Sequence, residues 1–156
     1  MIGNDIVDLR QAMLESNWRR KGYLDKLFSR TEQLWIEGTS KPTQMIWLLW
    51  SMKEAAYKIH SRRKNWRAFA PLKLICQTLE IKEELATGSI QCENITFFSQ
   101  TILATDFIHT VVSEQYPMQA IKVNISTYNP GDCSYRSTDP ATVSHHGRFL
   151  ALAYLK

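Results

Sequence analysis

The sequence predicts an α+β domain: an N-terminal strand, then helices, then an antiparallel sheet. Three observations carry this. Ile2 to Val7 reads as a short extended segment. From Thr43 to Lys64 neither Gly nor Pro interrupts a run of helix-tolerant residues. After Pro71 the chain turns to stretches rich in Ile, Val, Thr and Phe, separated by turn-prone residues.

Taken in order, Ile2 to Val7 is a strand interrupted by polar Asn4 and Asp5. Leu9 to Leu27 places Leu14, Trp18 and Leu24 at loosely helical spacing, with Gly22 weakening the second half. Ser29 and Glu32 have the spacing of a capping box, with Phe28 placed as a staple, so a helix is expected from about Arg30 to Glu37. Gly38 to Pro42 is a break, and the long helix is expected over about Thr43 to Ser61. Extended segments are expected at Leu72–Cys76, Leu79–Ile81, Ile95–Phe98, Thr101–Ala104, Phe107–Val112 and Ala120–Ser126. Turns are expected at Thr87–Ser89, Thr105–Asp106 and Tyr116–Pro117. Asn129 to Pro140 reads as a loop. Thr142–Ser144 and Phe149–Leu155 read as a final hairpin, with His145, His146 and Gly147 at its turn. The first strand is free to join the later sheet.

Residues 1–156 fit a single domain. A hydrophobic fraction of 44% with 22% charged residues is ordinary for a globular protein. Cys76, Cys92 and Cys133 are widely spaced and form no zinc-ligand pattern or disulfide framework. Charged residues break the N-terminus before a secretory apolar core, and the Met45–Trp50 run is too short to span a bilayer. A soluble, cytoplasmic protein without membrane partners is expected. The net charge of +4 favours acidic partners.

Four places in the chain are candidates for chemistry. If Thr43 to Ser61 is helical, Trp47, Trp50, Ser51, Glu54 and Lys58 share one face, so a carboxylate and an ammonium sit one turn apart beside an apolar stripe. Alone, that pattern is also what an ordinary surface ion pair looks like. Asp5 breaks the pattern of its strand and reads equally as a ligand for a hard cation or as a strand-end turn. Asp8 reads as the cap of the following helix. The basic tract Lys58, His60, Arg62, Arg63, Lys64 and Arg67, with Trp66, suits phosphate or nucleic acid, or a solvated helix end. Finally, Ser144-His145-His146-Gly147-Arg148 places two imidazoles and a guanidinium together, but without the strained Ser turn of a hydrolase.

In combination, Ile2-Gly3-Asn4-Asp5-Ile6-Val7 followed by Trp50-Ser51-Met52-Lys53-Glu54-Ala55-Ala56-Tyr57-Lys58 resembles the signature of the 4′-phosphopantetheinyl transferase superfamily. Leu27-Phe28-Ser29-Arg30-Thr31-Glu32 resembles the family segment between them, and Val143 to Ala153 resembles its terminal strand pair. The resemblance implies the family's fold and its reaction, in which the phosphopantetheine arm of coenzyme A moves to a serine of an acyl or peptidyl carrier protein. It implies Asp5 and Glu54 as ligands of Mg²⁺, with Glu54 and Lys58 as catalytic groups. Lys53, Lys58 and His145 would contact coenzyme A, and the basic tract, with Arg62 and Arg63, would supply further phosphate contacts. Val7 stands where the two-repeat members carry a third carboxylate, as in the small single-repeat type, which is holo-acyl-carrier-protein-synthase-like. The tract from His60 to Arg67 replaces the Gly-rich turn of that type. One motif set without a repeat implies a homotrimer, with His145 of one subunit reaching Asp5 and Glu54 of another. The competing reading is a non-enzymatic nucleic-acid-binding module using the basic helix over 58–67.

Overall fold

Eight strands and four helices follow the expected order in the computed structural model, which describes residues 1–65 and 67–156. Trp66, part of the expected basic tract, lies outside the described residues. Strand β1 (Ile2–Asp8) leads into helices α1 (Leu9–Glu15), α2 (Tyr23–Leu27), α3 (Arg30–Gly38) and α4 (Pro42–Lys64). Strands β2 (Ile75–Lys82), β3 (Leu85–Cys92), β4 (Ile95–Leu103), β5 (Phe107–Ser113), β6 (Ile121–Thr127), β7 (Thr142–His146) and β8 (Phe149–Leu155) follow. They form two sheets rather than one: five strands ordered β1-β5-β4-β3-β2 and three ordered β6-β8-β7.

Local chemistry explains the helix ends. The Ser29 side chain accepts from the Glu32 amide, and Glu32 Oε1 accepts from the Ser29 amide at 2.7 Å, so the capping box forms as its spacing indicates. Pro42 opens α4, where its missing N–H is harmless, and Asn65 closes it in the left-handed conformation. The segment Leu9–Leu27 is divided into α1 and α2: α1 ends at an extended Ser16, and Gly22, at φ of 83°, precedes α2.

Four expectations need correction. Pro71–Lys73 is a 3₁₀ turn, so the strand starts at Ile75 rather than Leu72. Thr87–Ser89 is not a turn but the middle of β3, and β4 runs unbroken through Ser99 and Gln100. Gly88 belongs in that strand for a steric reason: an added Cβ would lie 2.9 Å from Met52 Cε and closer still to the Thr78 carbonyl oxygen. The reversals fall instead beside Glu83 and Glu93, at φ of 57° and 54°. His145 and His146 lie within β7, and the last reversal is made by Gly147 at φ of 53°.

Helix α4 packs on the five-stranded sheet and supplies much of the core through Ile46, Leu48, Leu49, Met52, Ala55, Ala56 and Ile59, all fully buried. Strand β1 is pressed between this helix and the three-stranded sheet. A methyl group at Gly3 would overlap the Ala55 carbonyl oxygen and lie 3.3 Å from Ile59 Cγ1. Gly3 and Ala55 therefore let strand and helix touch backbone to backbone, and alternation puts Asp5 on the same helix-facing side. Gly3→Ala should destabilise the fold by about 1–3 kcal/mol, the usual range for overpacking. Denaturant titration, with the unfolding slope unchanged, measures it.

Candidate active site

Strand β1 hydrogen-bonds along one edge to β5, from Ile2 opposite Ser113 to Asp8 opposite Phe107. Its other edge faces β7, yet among the described residues the two strands share no ladder. Side chains satisfy that edge instead. Arg62 Nη1 donates to the Ile2 carbonyl at 3.1 Å, and Lys58 Nζ to the Asn4 carbonyl at 2.6 Å. The Ile6 amide donates to Ser144 Oγ at 3.1 Å, and the Asp8 amide to His146 Nδ1 at 2.9 Å. The alternation of Thr142, Ser144 and His146 on β7 matches the alternation of free backbone groups on β1. The seam is thereby held open, and Lys58 enters it to bridge β1 and β7, with the Val143 carbonyl 3.4 Å away.

A cavity of about 470 Å³ opens beside this seam. Asp5, Glu54, Lys58, Ser144, His145 and His146 line its polar side, and Val7, Ala12, Tyr23, Trp47 and Trp50 its apolar side. Four sequence candidates, Asp5, Glu54, Lys58 and His145, therefore converge within one chain. Strand β7 folds back beside β1 of the same chain, which brings His145 to the cavity lining within that chain. Trp47 is buried as expected, whereas half-buried Trp50 lines the cavity and packs edge-on to Phe69 at 5.2 Å.

The electrostatics are those of a strained carboxylate pair. Burial pushes the Asp5 carboxyl up to about 6, against the lowering influence of Lys58 and the Ser51 hydrogen bond. Burial and then the charge of Asp5 push Glu54 up to about 7. Burial lowers Lys58, while the two carboxylates oppose that shift. Asp5 Oδ1 accepts a long 3.5 Å hydrogen bond from Ser144 Oγ, whereas Oδ2 is buried with no hydrogen-bond partner. An orphaned carboxylate oxygen beside a second carboxylate is short of one cation. Among the described residues no group of three or more His, Cys, Asp or Glu is placed to hold a metal. The protein can thus offer two carboxylates, a donor set that suits a hard ion keeping several waters, such as Mg²⁺, and not a closed zinc centre.

Other candidates are engaged elsewhere. Lys53 is not in the cavity, so the expected phosphate contact is corrected. Its ammonium is fully buried against Glu32 Oε1 at 2.7 Å and donates to the carbonyls of Leu27 and Pro71 at 2.9 and 2.8 Å. Arg62 also lies outside the cavity lining, donating to Ile2 and to Thr142 Oγ1 at 3.2 Å. Arg63 pairs with Glu114. Arg62 and Arg63 thus each have a partner within the fold, while Lys64 and Arg67 remain exposed at and after the end of α4.

Asp8 caps α1, accepting from the amides of Arg10 and Gln11 at 3.1 and 3.3 Å. It also receives Arg148 Nε, Nη2 and the Arg148 amide at 3.0, 2.9 and 2.8 Å. Hydrogen bonds from Arg148 hold its carboxyl well below the usual carboxylate range. A carboxyl lowered on folding stabilises the fold above its unfolded pKa, and that contribution fades as pH falls through about 4 and below. Asp8→Asn should therefore destabilise the protein at pH 7, and the effect should be smaller but still present at pH 3. Unfolding midpoints compared at pH 7 and pH 3 test this.

Ser144 and His146 were named in the sequence only as part of the terminal motif, without their partners on β1, and Glu15 was not named. Because His146 Nδ1 accepts from the Asp8 amide, its proton sits on Nε2, 3.0 Å from Glu15 Oε2. The alternation Thr-x-Ser-x-His was visible, but only the neighbouring β1 edge gives it meaning.

No curated protein and no solved structure matches the chain. A family model does, described as the 4′-phosphopantetheinyl transferase superfamily, over residues 1–118. That span holds Asp5, Glu54 and Lys58, and ends before the strands that bring Ser144 and His145 to the cavity. The motif match and the cavity it builds lead to one conclusion: the chain belongs to the 4′-phosphopantetheinyl transferase superfamily.

Proposed function

We propose that the protein transfers the 4′-phosphopantetheine arm of coenzyme A to a serine of an acyl or peptidyl carrier protein in the cytoplasm, in a Mg²⁺-dependent reaction. The observation that carries this reading is the pairing of Asp5 and Glu54, both raised by burial, around the orphaned Asp5 Oδ2. These two carboxylates would hold Mg²⁺, whose chemistry is to neutralise pyrophosphate charge.

The serine oxygen forms a bond to the phosphorus nearest the pantetheine. The bond from that phosphorus to the bridging oxygen breaks, and adenosine 3′,5′-bisphosphate leaves. Glu54, with its affinity for protons raised toward neutrality, is suited to accept the serine proton. Lys58 has three donors and gives two to the Asn4 and Val143 carbonyls, leaving one for phosphate. His145 at the rim contacts the phosphates of the donor. A positive protein also suits an acidic carrier.

All these groups line one cavity of a single chain. We further propose a homotrimer, as the single motif set of the small type implies. The test is mass spectrometry of several apo carrier proteins after incubation with the protein, coenzyme A and Mg²⁺. We expect the mass of one phosphopantetheine arm on at least one carrier. No gain on any carrier, with no heat of coenzyme A binding, would overturn the reading.

A further inference from the structure

We infer that Tyr128 is a positioning residue that fixes the ring of His145 at the rim of the cavity for contact with the donor's phosphates. The inference rests on the transferase reading above. Tyr128 follows β6 directly, and its amide donates to the Arg148 carbonyl at 2.8 Å, which anchors its backbone across β8. Its ring lies nearly parallel to that of His145, with centroids 4.1 Å apart and an interplanar angle of 12°.

On β7, Thr142 and Ser144 turn inward to β1, and alternation sends His145 to the opposite face. There it is exposed and makes no side-chain hydrogen bond among the described residues. An exposed imidazole without such a bond is free to change rotamer. Stacking on one face removes that freedom while leaving both ring nitrogens, which lie in the ring plane, available at the edge. Ordering the imidazole before the donor arrives lowers the entropic cost of binding it. The sequence marks Tyr128 only as the residue before a loop, and it lies beyond the family match.

The test compares Tyr128→Leu with Tyr128→Phe. Phenylalanine keeps the stack and loses the hydroxyl, and leucine loses the stack. For Tyr128→Leu we expect coenzyme A binding weakened, and KM for coenzyme A raised, by about three- to tenfold, the scale of an aromatic pair. We expect kcat close to that of the wild type, and Tyr128→Phe within twofold of it in every constant. Unchanged affinity in Tyr128→Leu, or an equal loss in both variants, overturns the inference while leaving the transferase reading intact. Absence of coenzyme A binding by the unsubstituted protein overturns that reading itself. A readout independent of coenzyme A is the proton NMR of His145 in the free protein. Its ring protons should be shifted upfield by Tyr128 in the wild type and in Tyr128→Phe. Unshifted resonances overturn the inference even where Tyr128→Leu does not fold.

Discussion

Replacing Lys53 by methionine should cost the fold about 3–5 kcal/mol, the range for breaking one partner out of a buried ion pair. Both Lys53 and Glu32 have side chains that are 0% exposed. Glu32 Oε1 takes the Ser29 amide and the Lys53 ammonium, each at 2.7 Å, and Oε2 takes the Cys76 amide at 3.0 Å. Three separate pieces of chain meet on this carboxylate: the start of α3, the middle of α4 and the start of β2. Methionine fills the space of the lysine stem but leaves Glu32 charged and unpaired, and leaves the Leu27 and Pro71 carbonyls without the donor they share. Lys53→Met combined with Glu32→Gln should recover part of the loss, because the uncompensated charge is then gone. Per folded molecule, transfer and KM for coenzyme A should stay within twofold of the wild type. A Lys53→Met protein of unchanged melting temperature but raised KM would return Lys53 to the phosphates and refute its structural role.

The same lysine shows what the sequence could and could not carry. The run Lys53-Glu54-Ala55-Ala56-Tyr57-Lys58 fixes a helix and marks its importance, but adjacent residues on a helix point about 100° apart. Glu54 and Lys58, one turn apart, face β1 together, and Lys53 faces α3. The motif text alone does not say which side each residue serves. Asp5 was legible because a carboxylate in a strand breaks a local rule, and Gly3 because its neighbour is a motif. The order of strand, helices and strands was also legible from composition. Division into two sheets was not, since periodicity says which residues alternate but nothing about which strand lies beside which. The same limit hid what Ser144 and His146 contact. Each acts on the backbone of residues 138 positions away, and backbone edges carry no sequence signal. Gly88 misled for a related reason: glycine serves a turn and a tight crossing equally well.

Asp5→Asn should abolish transfer, by at least about a hundredfold for the loss of an electrostatic group at a phosphoryl-transfer site, while making the metal-free protein more stable at neutral pH. Burial lifts Asp5 to about 6 and Glu54 to about 7, above the ordinary carboxylate values. A carboxyl raised on folding binds its proton more tightly in the native state. Stability is then full below the unfolded pKa and declines as pH climbs through the interval up to the folded value, here from about 4 to 7. Above that interval both groups are ionised and repel each other. Asparagine keeps the shape of Asp5, removes one charge, and frees Glu54 from the neighbour that raises it. The expected gain is about 1–3 kcal/mol at pH 8 and close to nothing at pH 4. Mg²⁺ relieves the same repulsion in competition with protons, so its stabilisation of the wild type should grow from pH 6 to pH 8 and be lost in Asp5→Asn. Thermal unfolding of both proteins with and without Mg²⁺ at pH 6 and pH 8 separates the terms. A wild type indifferent to Mg²⁺ at pH 8, or an Asp5→Asn protein that still transfers at the wild-type rate, would remove Asp5 from the metal site. The opposite sign is expected at Asp8, three residues along the same strand, whose carboxyl is lowered by Arg148 and whose loss weakens the fold at neutral pH. One strand thus carries two aspartates of opposite electrostatic standing, one lowered by Arg148 and one raised by burial.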